Sequence, residues 1–213
     1  MEAPIRDKFL EIVKPEHLLV IYDSIRRAFR TVAIEYDGFN LSPENTRISY
    51  GHLKLSFIRD NLEKAKLPTG MRIVKTNHPK NGWPQTEIVI EDRVYLTLKG
   101  SEDSDSLPDP SDERRENAKT KQLSLDLGLP SQEVQSINGI VTYSVGTARE
   151  TGFVSVVFPS SNYTHTLCDR VNVLEICLEY EKQKKAESEE RLLKQRPKPI
   201  NPAKENVKLK KKA

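Results

Sequence analysis

From Pro15 to Glu35, Leu18, Ile21, Tyr22, Ile25, Ala28, Phe29 and Val32 recur at three- and four-residue steps. That spacing draws one apolar stripe and predicts a helix with Pro15 in its first turn, where a missing amide costs nothing. After the loop signals Asp37-Gly38 and Ser42-Pro43-Glu44-Asn45, a second helix is predicted over Ser49 to Lys66, carrying Leu53, Leu55, Phe57, Ile58, Leu62 and Ala65. Leu67-Pro68-Thr69-Gly70 closes it. The period then drops to two. Met71 to Thr76, Thr86 to Ile90 and Val94 to Leu98 read as strands, with Ile88, Ile90, Val94, Leu96 and Leu98 sharing a face across Glu91-Asp92-Arg93. Asn81-Gly82 is a hairpin signal between Pro79 and Pro84, so the three strands make an antiparallel meander. Gly139 to Val145 and Gly152 to Phe158 form a second predicted hairpin. Val171 to Gln195 forms a last helix, apolar at Val171, Leu174, Cys177 and Leu178 and charged beyond them.

These elements imply an α+β fold: an antiparallel sheet of about five strands with two N-terminal helices and a C-terminal helix. A single domain over 1–190 is expected, one core being the natural content of a chain of 213 residues. Between Ser101 and Ala118 the chain is acidic, holds Pro108 and Pro110, and has almost no apolar residue. Such a stretch buries too little surface to offset its ordering entropy, so 101–118 is expected to be a disordered insert. The stretch 191–213, interrupted by Pro197, Pro199 and Pro202, is expected to be a disordered tail.

Charge sharpens the division. The segment 191–213 carries Arg191, Lys194, Arg196, Lys198, Lys204, Lys208, Lys210, Lys211 and Lys212 against Glu205 alone, a balance of +8 in a chain whose total is +3. The insert's seven acids and two arginines make −5 and account for the whole deficit before the tail. A cationic tail on a charge-balanced body suits a polyanion, and those nine residues are the candidate nucleic-acid-binding set. Arg26, Arg27 and Arg30 fall off the stripe of their helix; they read first as a solvated face and second as a grip on phosphates.

Other chemistry is sparse. Cys168 and Cys177, nine apart, are poorly placed for a mutual disulfide and read as small buried hydrophobes of a reducing, cytoplasmic protein. No four-ligand Cys/His set predicts zinc, no motif predicts a cofactor, and no apolar run predicts a membrane span. The first residues lack the basic-then-apolar pattern of a secretory leader. Arg47 and His52 have the Arg, four residues, His spacing of the higher-eukaryote and prokaryote nucleotide-binding ribonucleases, and are the candidate catalytic pair. That family is helical, whereas strands follow here, so the context argues against the pair. A restriction-nuclease core needs a carboxylate, any residue, lysine triplet on a strand, and this chain offers Thr97-Leu98-Lys99 without the first acid. His78, Trp83 and Tyr95 are candidates for stacking a base, and His165 beside Tyr163 for a general base without a visible partner.

From Val94 onward the layout resembles an uncharacterised group of bacterial proteins associated with loci encoding helix-turn-helix regulators and metalloprotease-like partners. The residues concerned are Leu98-Lys99, Asn117, Thr120, Gln122, Leu129-Pro130, Gly139-Ile-Val-Thr-Tyr143 and Phe153-Val-Ser-Val-Val-Phe-Pro159. The resemblance implies a component of a toxin–antitoxin or phage-defence locus, with a cognate regulator or antitoxin as partner. With the charge pattern, it gives the expected function: an accessory or toxin-like protein that binds nucleic acid, a partner protein, or both through its tail. A divergent nuclease and a pure protein-interaction adaptor are the alternatives.

Overall fold

In the computed structural model, which describes residues 5–35, 43–77, 84–104, 106–109, 111, 114–115, 117–119, 136–145 and 150–195 (side chains 43–44, 46–47 and 192–195 excepted), the class is α+β. Its internal contacts divide the chain into two units, Met1–Leu178 and Glu179–Ala213. The first unit is built on a mixed sheet of six strands. They are β1 (Met71–Asn77), β2 (Pro84–Ile90), β3 (Val94–Ser101), β4 (Ile137–Ser144), β5 (Val154–Val157) and β6 (Val171–Asn172), and they lie side by side in chain order.

Three helices precede the sheet, one more than expected: α1 (Ile5–Ile12), α2 (Pro15–Glu35) and α3 (Pro43–Lys64). Ile5, Phe9 and Val13 repeat every four residues and are buried, so α1 has an apolar edge that its short length hides. Phe9 meets Phe158 edge to face with ring centroids 5.2 Å apart, and Phe29 of α2 meets Tyr143 of β4 in the same way at 6.1 Å. The start of α2 is held by His17, buried in the core. Its Nδ1 accepts the Lys14 amide at 3.1 Å, which leaves Nε2 to donate to the Thr69 carbonyl at 3.1 Å, tying the helix start to the loop before β1.

The sheet is not wholly antiparallel. β3 and β4 run parallel in register from Val94↔Ile137 to Ser101↔Ser144, while every other neighbouring pair is antiparallel. The physical reason lies in the connection. A parallel pair needs a crossover of a dozen residues or more, and the acidic stretch together with the residues between it and Ser136 supplies that length. Val171, expected to open the last helix, instead pairs with Val156 as part of β6, and α4 (Val173–Gln195) starts immediately after.

Alternation sends the two faces of the sheet to different partners. Leu96, Val141, Tyr143, Val156 and Phe158 join the large cluster with Phe9, Ile21, Ile25, Phe29, Ile58 and Leu62 of the helices, and with Val173 and Cys177 at the start of α4. Ile140 and Val157 face the other way and meet Ala118, Tyr163 and Leu107. Three described residues of the acidic stretch, Leu107, Pro108 and Ala118, are therefore packed on the sheet side. Pro108 and Ala118 are buried, and the Tyr163 hydroxyl donates to the Pro108 carbonyl at 3.1 Å. Ser111 caps a short helical piece that holds Arg114 and Ala118, accepting the Arg114 amide at 3.3 Å.

In the second unit, residues 181–191 of α4 are exposed at every position, in keeping with a charged segment that has no apolar stripe. Arg191 and Lys194 lie on this helix; Arg196, Lys198, Lys204, Lys208, Lys210, Lys211 and Lys212 lie outside the described residues. No helix among the described residues is long and apolar enough to cross a membrane.

Candidate functional site

Beyond the ends of the parallel pair, the helix layer on one face and the crossover on the other leave a cleft of about 600 Å³. Its floor is the last residues of β3 and β4, Lys99 to Ser101 and Tyr143 to Val145. α3 supplies Ile48, His52, Lys54 and Leu55, and the crossover supplies Glu102, Asp103, Leu107, Pro108 and Asp109. A volume of this size suits a small molecule, and the carboxyl ends of parallel strands are where layered sheets open between their covering elements. Gly100 keeps the floor closed. A Cβ there would stand 2.8 Å from Val145 Cγ1, so a larger residue at this position would have to push the Val145 side chain aside.

Two lysines reach the cleft from opposite faces of the sheet. Lys54 occupies a core position on α3: Tyr50, Lys54, Ile58 and Leu62 follow at four-residue steps and all four are buried, Lys54 with 1% of its surface exposed. Its Nζ lies 3.7 Å from the centroid of the Phe29 ring, where the ring face attracts a cation. Burial nonetheless disfavours the ammonium and brings its pKa from 10.5 down to about 8. Lys99, one residue past Leu98 on β3, is turned to the crossover side and is half-buried. Its pKa is lowered first by burial and then by the Arg114 guanidinium, with the Asp109 carboxylate opposing both. Arg114 also donates to the Asp109 carbonyl. Lys99, half-buried, thus has one cation and one exposed carboxylate acting on it.

His52 is exposed on the wall of the cleft, but a five-residue step turns the Arg47 position about 140° away around α3. The Arg47 side chain lies outside the described residues, as do His78 and Trp83. Tyr95 spends its hydroxyl on the Asp92 carbonyl at 3.2 Å. His165 is exposed, with Nδ1 3.1 Å from the Thr164 hydroxyl; that hydroxyl is 2.6 Å from Asn162 Oδ1 in a turn organised by the buried Ser160. Of the three arginines of α2, Arg26 pairs with Asp23 at 2.6 Å and Arg30 with Glu150 at 3.3 Å, while Arg27 is exposed. Cys168 and Cys177 are both free thiols, and burial raises the pKa of Cys168. Among the described residues, no group of three or more His, Cys, Asp or Glu is placed to hold a metal ion.

Composition could not single out Lys54, but position could: it is the one charged residue in a run of buried four-residue steps. Lys99 drew attention only as part of a failed nuclease triplet. Its role depends on Asp109 and Arg114, which the crossover brings back to β3 from ten and fifteen residues along the chain. Comparison of this chain with protein-family models, with curated proteins and with solved structures finds no match.

Proposed function

We propose that the protein engages nucleic acid through its basic segment 191–213, as an accessory or toxin-like component of a toxin–antitoxin or phage-defence locus acting in the cytoplasm. The observation that carries the binding reading is the +8 balance of that segment in a chain of total charge +3. Arg191, Lys194, Arg196, Lys198, Lys204, Lys208, Lys210, Lys211 and Lys212 are the proposed contacts. Clustered cations release counterions from a phosphate backbone with no need of a shaped site, and the attraction is indifferent to base sequence. Exposure of α4 on all sides over residues 181–191 is compatible with such a role. The setting rests on the resemblance to the bacterial group with regulator and metalloprotease-like neighbours, which also supplies the second proposed partner, a cognate regulator or antitoxin.

The test is fluorescence anisotropy with a labelled duplex over a salt series, comparing the full chain with one in which the nine basic residues are glutamine. About five phosphate contacts give a slope of log affinity against log salt near −4 on duplex DNA, and the substituted chain loses it. Equal affinity and slope for the two proteins would leave the adaptor reading standing. Cleavage of RNA or DNA that disappears in His52→Ala would establish the nuclease alternative.

A further inference from the structure

One stripe of α3 faces the cleft rather than the core. Ile48, Gly51, His52 and Leu55 follow at i, i+3, i+4 and i+7, and all four line the cavity. Folding alone accounts poorly for two of them. Ile48 is apolar yet leaves 54% of its surface exposed. Gly51 sits inside the helix, where glycine is a poor former, and a Cβ built on it meets nothing within 4 Å, so packing does not demand a glycine. What the glycine leaves is open space beside Lys54. A helical side chain leans back over the turn that precedes it, and the turn preceding Lys54 contains Gly51. Lys54 borders the cavity although only 1% of its surface is exposed, and the Phe29 ring, 3.7 Å from Nζ, fixes where the amine stands. A buried amine is thus reached from the cleft at the point where α3 lacks a side chain.

We propose that Lys54 is a covalent site for a small uncharged aldehyde, which enters the cleft over Gly51, lays its body along Ile48 and Leu55, and condenses with Nζ to an imine. The neutral amine is the nucleophile, and a desolvated pocket is where a lysine supplies it. Burial brings the Lys54 pKa down to about 8, so about a tenth of the amine is free base at pH 7, against about 0.03% for an ordinary lysine. The Nζ lone pair forms the C–N bond while the carbonyl π pair moves onto oxygen, which takes one proton from nitrogen. The C–O bond then breaks, and the oxygen leaves as water with the second N–H proton. The resulting imine carries no charge and so relieves the burial that disfavours the ammonium, whereas carbon dioxide would leave a carboxylate in the same place. Glu102, Asp103 and Asp109 line the cleft together with Lys99, so neither an anionic nor a cationic carbonyl compound is favoured over an uncharged one.

The test treats the full chain at about pH 7 with benzaldehyde, uses cyanoborohydride to fix each imine as a stable amine, and maps the adducts by peptide mass. Lys54 is expected to be labelled at least about tenfold faster than the surface lysines, its roughly 300-fold excess of free base being partly offset by weaker basicity. Gly51→Leu fills the open space with a better helix former and is expected to slow labelling of Lys54 at least about tenfold while circular dichroism stays unchanged. Lys54→Met is expected to lose the fast adduct and keep the slow surface ones. 4-Carboxybenzaldehyde, the same body with a carboxylate, is expected to label Lys54 at least about threefold more slowly. Labelling of Lys54 no faster than the surface lysines, a fast adduct on another residue, or an unchanged rate in a folded Gly51→Leu chain would each overturn the proposal. Equal labelling by 4-carboxybenzaldehyde would overturn the restriction to uncharged aldehydes. The mapped rates in the natural chain decide the site even if Gly51→Leu fails to fold, and none of these outcomes depends on the basic segment.

Discussion

The two faces of the sheet solve the same burial problem with opposite chemistry. The face beneath α1, α2 and α3 is largely apolar, with aromatic rings of the helices set edge to face on Phe158 and Tyr143. The face beneath the crossover gathers a smaller cluster, Ala118, Ile140, Val157 and Tyr163, and the strands there bury Asn138, Thr142 and Ser155 among them. One face is held by area removed from water, the other by fewer apolar contacts and by polar ties such as Tyr163 to Pro108. The difference teaches that an acidic, proline-containing stretch can be the second covering layer of a sheet when a few well-placed groups anchor it. The cleft opens where these two unlike layers part.

The sharpest way to break the comparison is to remove one fully buried side chain from each side of the sheet. Phe29→Ala empties a fully buried aromatic position, and a loss of about 3–5 kcal/mol is expected in urea unfolding. Val157→Ala, equally buried on the crossover face, removes two methyl groups and is expected to cost about 1–2 kcal/mol. Equal losses would mean that the two faces contribute alike.

Lys54 is the exception on the apolar face and predicts a gain. Its folded pKa of about 8 lies below the ordinary 10.5, so between those values the unfolded chain holds more protons and stability rises with pH. Below about pH 8 the burial penalty is fully present. It is worth at most about 3 kcal/mol by that shift, less what the Phe29 ring returns, which is on the order of 1 kcal/mol. Lys54→Met is therefore expected to be about 2 kcal/mol more stable than the natural chain at pH 7, with the gap narrowing as pH climbs toward 10.5. Unfolding curves at pH 7 and pH 9.5 check both the sign and the trend. A variant less stable than the natural chain at pH 7 would show that the ring and its other neighbours outweigh burial.

How much of the fold was legible depends on which layer did the covering. The stripe of α2 could be read residue by residue, because every member lies within one element and repeats with its period. The first five strands could be read for the same reason, whereas the two-residue β6 reads in the sequence as the start of the last helix. The parallel pairing of β3 with β4 could not, since strand direction is decided by the path of the crossover and not by alternation in either strand. Polar composition concealed the crossover's own packing: Leu107, Pro108 and Ala118 are too few to register as a pattern, and the surfaces they bury belong to Ile140, Val157 and Tyr163 far along the chain. The cleft was hidden for a related reason. Its residues come from α3, from the ends of β3 and β4, and from the crossover, and these segments meet only once the sheet has formed.

Tyr163→Phe tests the polar tie directly. It deletes the hydroxyl that meets the Pro108 carbonyl in a buried setting and leaves that acceptor without this donor, a cost of about 1 kcal/mol. Hydrogen exchange should localise the loss to the crossover, leaving the amides of α2 as protected as before. Uniform deprotection would mean that the crossover and the helix layer unfold as one unit.

The smallest expected effect is the most specific to the comparison. Thr142 is fully buried on the crossover side of β4, and its hydroxyl reaches the Ser155 carbonyl only at 3.4 Å, the long end of a hydrogen bond. Thr142→Val keeps the shape and the β-branch that suits a central strand, loses that weak bond, and removes a hydroxyl from a buried site. A hydroxyl lost together with so long a bond leaves little net change, so stability should stay within about 0.5 kcal/mol of the natural chain. The reverse exchange on the helix side, Val156→Thr, places a hydroxyl among Leu96, Phe158 and their apolar neighbours and should cost about 1–3 kcal/mol. The two substitutions differ only in direction and in the face they enter. If the crossover face were as apolar in character as the helix face, Thr142→Val would stabilise by an amount comparable to what Val156→Thr costs, and the distinction between the two layers would fail.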